Sequence, residues 1–181
     1  MTERTFASPG GRQYLIRDLR PEDADLLVDL FYRLSPETVY KRFHAALHNL
    51  PEDRVRQLVD GLVDLDPQNQ IALIALHSPD ERAGTTQAVG VARCHRIPGT
   101  SDAESAIVVR DDHQKGGLGT YLLACLRERA LALSITHLIA VVQAQNHPIL
   151  KVIQRSGLKG DWRFEQGESY LAVDIRPDTS D

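Results

Sequence analysis

The chain is short of cysteine: two in 181 residues, Cys94 and Cys125, far apart and without a CxxC partner. That excludes a disulfide framework and a cysteine-based metal site, and no His, Cys or Asp cluster has metal-ligand spacing. Long apolar runs are missing too, and none approaches the ~18 residues needed to cross a bilayer. The opening "MTERTFASPGGRQ" lacks the apolar core of a signal peptide, so a cytoplasmic protein without a membrane partner is expected. There is no basic excess. Lys and Arg total 21 against 25 Asp and Glu, a net charge of −4, which argues against a nucleic-acid partner. Internal repeats and low-complexity stretches are absent. What remains is ordinary globular composition, 42% apolar and 25% charged, which speaks against long disorder. A chain of this length suits one core. The expectation is a single domain over 1–181 with an ordered core at about 13–176, after a loose leader over 1–12.

Hydrophobic periodicity orders the rest. "QYLIRDLR" (13–20) is read as a strand. Pro21 then opens a helix with Leu26, Leu27, Leu30, Phe31 and Leu34 on one stripe. Ser35 can cap, and Pro36 can open, a second short helix that carries Tyr40 and Phe43. Residues 51–65 form a third helical segment. Strands follow at 70–76, 87–97 and 103–110, linked as a meander. A helix over 119–133, a strand over 136–144, a helix closed by Gly157 and two last strands complete the chain. The expected fold class is α+β: a mixed, mostly antiparallel central sheet of about seven strands with helices on both faces.

One stretch carries chemistry. "VVRDDHQKGGLGTYLL" (108–123) joins a buried strand to a strong helix through Gly116, Gly117 and Gly119. Helix N-termini leave N–H groups unpaired and partly positive, and glycines let them converge on a phosphate. The competing reading is a turn whose glycines serve only their backbone angles. A P-loop is excluded, because no lysine stands between Gly119 and Thr120. A dinucleotide fingerprint is excluded as well: its third glycine would fall at Leu122. Asp111 and Asp112 read as turn and pre-helix acids pointing away from an anion.

The pattern Gln114-x-x-Gly117-x-Gly119, set between "AIVVR" and "TYLLACL", resembles the acyl-coenzyme A loop of the GNAT N-acetyltransferase superfamily. More narrowly, "IRDLRPEDADLLVDLFYRLSPETVYKRF" together with this loop looks like the catalytic domain of bacterial protein-lysine acetyltransferases that modify acyl-CoA synthetases. In that group the domain is often fused to another module, for which this chain has no room. The resemblance implies the GNAT-like acyl-CoA N-acyltransferase fold, acetyl-CoA as co-substrate with no metal, and direct transfer to an amine. The acceptor implied is a protein lysine, for instance on an acyl-CoA synthetase. A small-molecule amine, or a non-catalytic acyl-CoA-binding role, are the alternatives. The protein would be a monomer or homodimer.

Site residues follow from the same likeness. Ile107, Val108 and Val109 would pair with the pantetheine arm. Gln114, Lys115, Gly116, Gly117, Leu118, Gly119 and Thr120 would hold the pyrophosphate. Lys115 stands one residue before the usual basic position, so it either reaches the phosphates from another angle or is solvated. Asn146 would contact the coenzyme or cap a helix. Glu104 is the candidate general base, ahead of His95 and His44, and the N–H of Val109 would meet the oxyanion. The tyrosine that many relatives use as general acid is replaced by Ile153. Among Phe31, Tyr32, Tyr40 and Phe43, near the first helices, Tyr40 is the expected acceptor wall.

Overall fold

The computed structural model describes residues 3–45, 47, 50–79, 85–142, 147–165 and 168–177. Its strands are β1 (Arg4–Ala7), β2 (Gln13–Asp18), β3 (Gln70–His77), β4 (Gln87–Arg96), β5 (Asp102–Val109), β6 (His137–Val141), β7 (Gly160–Glu165) and β8 (Glu168–Asp174). The helices are α1 (Ala24–Tyr32), α2 (Pro36–Phe43), α3 (Glu52–Val63), α4 (Leu118–Ala132) and α5 (His147–Ser156). The strands form one sheet in the order β1-β2-β3-β4-β5-β6-β8-β7. Each neighbouring pair is antiparallel except β5 and β6. This is the expected α+β class, with eight strands where about seven were read.

The added strand is β1, in what the sequence suggested was a loose leader. It pairs with β2, and Phe6 stacks on Tyr121 of α4 at 4.8 Å between ring centroids. Arg4 makes a two-pronged ion pair with Glu128 on the same helix. A four-residue strand has too little alternation to stand out in the sequence; its contacts with α4 hold it.

The core has two layers, one on each face of the sheet. Ile71, Leu73 and Ala75 of β3 face α4 and α5, while Ala72, Ile74 and Leu76 face α1 and α3. A strand covered on both faces reads as a continuous apolar run, hence "IALIAL". In β4 a bulge leaves Val89 unpaired between Ala88↔Leu76 and Gly90↔Ala75. One extra residue reverses the side-chain phase of everything after it. Ala92 and Cys94 thereby enter the α4 layer, and Arg93 and His95 turn to the face of α1–α3.

A buried polar cluster supports the turn between β5 and α4. The Arg110 guanidinium donates to His113 Nε2 at 2.8 Å. Arginine can only donate, so Nε2 is an acceptor and the neutral ring carries its proton on Nδ1, which faces Tyr14 Oη at 3.1 Å. Burial first, opposed by Asp112 and aided by Arg110, pushes the His113 pKa from 6.5 down to about 4. A base whose folded pKa is depressed binds fewer protons than in the unfolded chain, so stability falls as pH drops. The loss should begin near pH 6.5 and be complete near pH 4. Urea midpoints measured across that window should slope for the wild type and flatten for His113→Gln; parallel slopes would exclude His113 as the titrating group.

Candidate active site

β5 and β6 are paired over Asp102↔His137, Ala103↔Leu138 and Glu104↔Ile139, and no further. The Ser105 hydroxyl makes a last bond to Ile139 O at 3.3 Å. Beyond it the strands part, while β5 stays paired with β4 through Val109↔Gly90. Arg110 N–H donates to Val89 O, toward β4. Period-two alternation therefore turns the N–H and C=O groups of Ile107 and Val109 into the gap. Val109 O is taken by the Gln114 side-chain amide at 2.9 Å. Val108 has the opposite phase: its main chain serves β4 and only its side chain lines the gap. Of the three residues expected to offer main chain, two do so.

The gap opens into a cleft of 980 Å³. At its mouth, Lys115 and Gly117 have positive φ values of 64° and 88°. Gly117 is the N-cap of α4 without a side-chain cap, and the first turn holds no acid. Among the described residues, the N–H groups of Lys115 through Thr120 meet no acceptor in the protein. They form a row of unspent donors on a helix N-terminus, the arrangement an anion satisfies. A Cβ on Gly119 would lie 3.3 Å from Val152 of α5, so that glycine serves close helix packing. Lys115, Gly117, Gly119 and Thr120 line the cleft, whereas the Leu118 side chain is buried in the core. Gln114, expected on the pyrophosphate, spends its side chain on Val109 O and Thr38 Oγ1. It lines the cleft while bracing the loop through its amide nitrogen.

Glu104 lies where the strands part. It is exposed on the cleft, directly across from His95 on β4 and Ile139 on β6. Among the described residues it is the sole acid in the lining. Against it stand Lys41, Arg42, Arg93, Lys115, Lys151, Arg155 and Arg163, with His44 and His95. Lys41, Arg42, Arg93 and the α5 and β7 cations were missed in the sequence. For Lys151 and Arg155 the i, i+4 spacing was a usable signal; for Arg93 the unforeseen bulge hid it. Asp111 and Asp112 do turn from the loop's donors: Asp111 accepts from Ser35 and Thr38, and Asp112 from Arg110.

Tyr40 does not line the cleft. Val39 takes the buried position of α2, so Thr38, Lys41 and Arg42 face the cleft and Tyr40 is 47% exposed on the outer side. Phe31 is core and Tyr32 donates to Leu50 O on the surface. Ile153 packs against the α4 layer, and Tyr170 of β8 is the tyrosine that reaches the cleft. Asn146 lies outside the described residues.

The sequence matches the Acetyltransferase (GNAT) domain over residues 13–159. The chain belongs to the GNAT acetyltransferase family. An acetyltransferase of Pseudomonas aeruginosa is 30% identical over 150 residues, 83% of this chain and 77% of that protein. The GNAT domain of S. lividans PAT superposes with a TM-score of 0.80 at 24% identity, covering 95% of this chain and 96% of that one. A cAMP-binding acyltransferase from Mycobacterium smegmatis gives 0.64 at 22% identity, with 99% of this chain spanning 49% of that protein. The family transfers acetyl groups from acetyl-CoA, and a ribosomal-protein alpha-N-acetyltransferase in complex with coenzyme A shares the fold at a TM-score of 0.69. No group of His, Cys, Asp and Glu among the described residues could hold a metal ion.

A β-branched residue at the φ of Gly117 costs about 1–2 kcal/mol and tilts the adjoining N–H groups. Gly117→Val should therefore weaken acetyl-CoA binding, measured by calorimetry, by about tenfold or more. An unchanged Kd would mean that this loop does not hold the coenzyme.

Proposed function

We propose that this GNAT domain catalyses direct transfer of acetyl from acetyl-CoA to an amine, with a protein lysine as the acceptor. The observation that carries the transfer reading is the gap between β5 and β6. It has free main chain on one wall, unspent N–H groups at its mouth and a carboxylate where the strands meet. In this reading the pantetheine arm pairs with the main chain of Ile107. Val109 keeps its N–H for the thioester, because its carbonyl is taken by Gln114, and the pyrophosphate sits on the N–H groups of Lys115 to Thr120. The thioester carbonyl then lies against Val109 N–H, which stabilises the oxyanion as it forms. Glu104 takes a proton from the incoming ammonium, directly or through one water. The amine nitrogen bonds to the carbonyl carbon and the C–S bond breaks. The nitrogen's second proton passes to the departing thiolate, relayed by Tyr170, which lines the cleft, and Glu104 gives the first proton up to water. The protein-lysine acceptor rests on the likeness of the α1–α2 and loop segments to the protein-lysine acetyltransferases.

Thiol release from acetyl-CoA should require an added amine. Glu104→Gln should lower kcat by about 10²–10⁴-fold, the usual worth of a general base, while the coenzyme still binds. Equal turnover in Glu104→Gln would remove Glu104 from that role. Tight coenzyme binding with no turnover on any amine would instead favour a non-catalytic acyl-CoA-binding domain.

A further inference from the structure

Arg42 and Arg93 share with Lys115, Lys151, Arg155 and Arg163 of the cleft the lack of a carboxylate partner among the described residues. Those four are exposed, whereas these two are half-buried. Lys41 pairs with Glu37, Arg33 with Asp29 and Arg110 with Asp112. Among the described residues Arg42 and Arg93 ion-pair with no carboxylate and donate no hydrogen bond. Arg42 lies over the Phe43 ring, Cζ 4.9 Å from its centroid. Both arginines line the cleft, and both also line the apolar pocket under α1 and α3 with Phe31, Val91 and Val108. They are half-buried where the cleft meets the core.

Burial first, and the neighbouring Arg93 charge second, push the Arg42 guanidinium down to about 10; burial lowers Arg93 as well. Both remain cations at neutral pH. Two like charges in a partly buried apolar wall are unfavourable unless an anion joins them. The coenzyme's pyrophosphate has its own donors at the far end of β5. Arg93 instead stands opposite Ala106, on the same face as Glu104 and diagonal to it. Glu104 forms an ion pair with neither arginine.

We propose that Arg42 and Arg93 form an anion subsite on the acceptor side of the cleft, so that the amine acceptor carries a carboxylate close to its reacting amine. The planar guanidinium fork matches a carboxylate. Apolar neighbours such as Val91, Val108 and Phe43 suit a short aliphatic stem ending in a carboxylate better than a hydrated phosphate. This inference deepens the transfer reading above and rests on it for the position of the amine. The carboxylate can come from an acidic residue beside a protein lysine or from a free amino acid.

Three probes separate these sources: an acetylated Ala-Lys-Ala amide, the same peptide with aspartate next to lysine, and free lysine. Binding is measured by calorimetry with coenzyme A present, and turnover by thiol release from acetyl-CoA. A carboxylate-bearing probe should bind about tenfold or more tightly than the neutral peptide, the usual worth of a charge-assisted pair. The better of the two identifies the source. The gap should close in Arg42→Gln and Arg93→Gln and return in part in Arg93→Lys, with coenzyme affinity as the check on folding. Equal binding of all three probes to the wild type overturns the subsite, as does a gap that survives both glutamine variants. Tighter, arginine-dependent binding of succinyl-CoA than of acetyl-CoA, with the three acceptor probes equal, places the anion on the donor and overturns it too. An arginine-dependent gap without thiol release keeps the subsite and removes the transfer reading. Thiol release with equal affinities does the reverse.

Discussion

The parting of β5 from β6 is the constraint on which the rest of the site depends. A strand inside a sheet ordinarily satisfies its main chain on both sides. Here β5 does so on the β4 side throughout, and on the β6 side only as far as Glu104. The main chain at Ile107 and Val109 is thus left facing a gap in the middle of the sheet. Two consequences are geometric. Glu104, the last paired residue, stands at the apex, and α4, which follows β5, brings its N-terminus to the mouth. A carboxylate, a strand edge and a row of unspent helix N–H groups are therefore spaced by one strand, and their separation is set by backbone geometry.

The two sides of this cleft are held together by one carboxylate. Asp111 stands two residues after β5, yet it accepts from the N–H and hydroxyl of Ser35 and from the hydroxyl of Thr38. Burial alone would raise its carboxyl; these bonds outweigh it and hold the group below the usual range. Ser35 is at the same time the N-cap of α2, accepting from Thr38 N–H. The loop that would take the coenzyme and the helix that carries Lys41 and Arg42 are thereby fixed to each other. Gln114 adds a second tie, from Val109 O to Thr38, and His113 fills the space beneath. Gln114 is half-buried, His113 buried and Asp111 exposed, but each is bonded to a partner on a distant segment, which favours one arrangement over several.

Much of this was legible in the sequence, for physical reasons. The apolar runs and helical stripes follow from burial, which acts residue by residue. The Ser35-Pro36 restart follows from local capping geometry. The Gln114-Gly117-Gly119 spacing follows from a loop that must turn into a helix within a few residues. The misses share a different origin. β1 exists through contacts with α4, far along the chain. The bulge at Val89 has no local signature beyond Gly90, yet it decides that Arg93 and His95 face the cleft. Tyr40 was placed by residue type, but the phase of α2 is set by Val39 entering the core. Each miss concerns which way a side chain faces once distant elements have packed.

Net charge gave the least information about the site. A chain of net charge −4 gathers, among the described residues, seven lysines and arginines and a single carboxylate around one cleft. At the α4 end this needs little explanation, since a row of helix N–H groups beside Lys115 suits a pyrophosphate. At the other end the same excess works against an amine, which arrives protonated and is repelled by Arg42 and Arg93. Glu104 offsets one positive charge there, and in the proposed reaction it also takes the proton. A second negative charge on the acceptor would remove the repulsion and draw the molecule into position beside Glu104. Simple cationic amines would lack that compensation. The arrangement therefore selects by what it excludes, and the selectivity resides in α2 and β4, outside the loop by which the family is recognised.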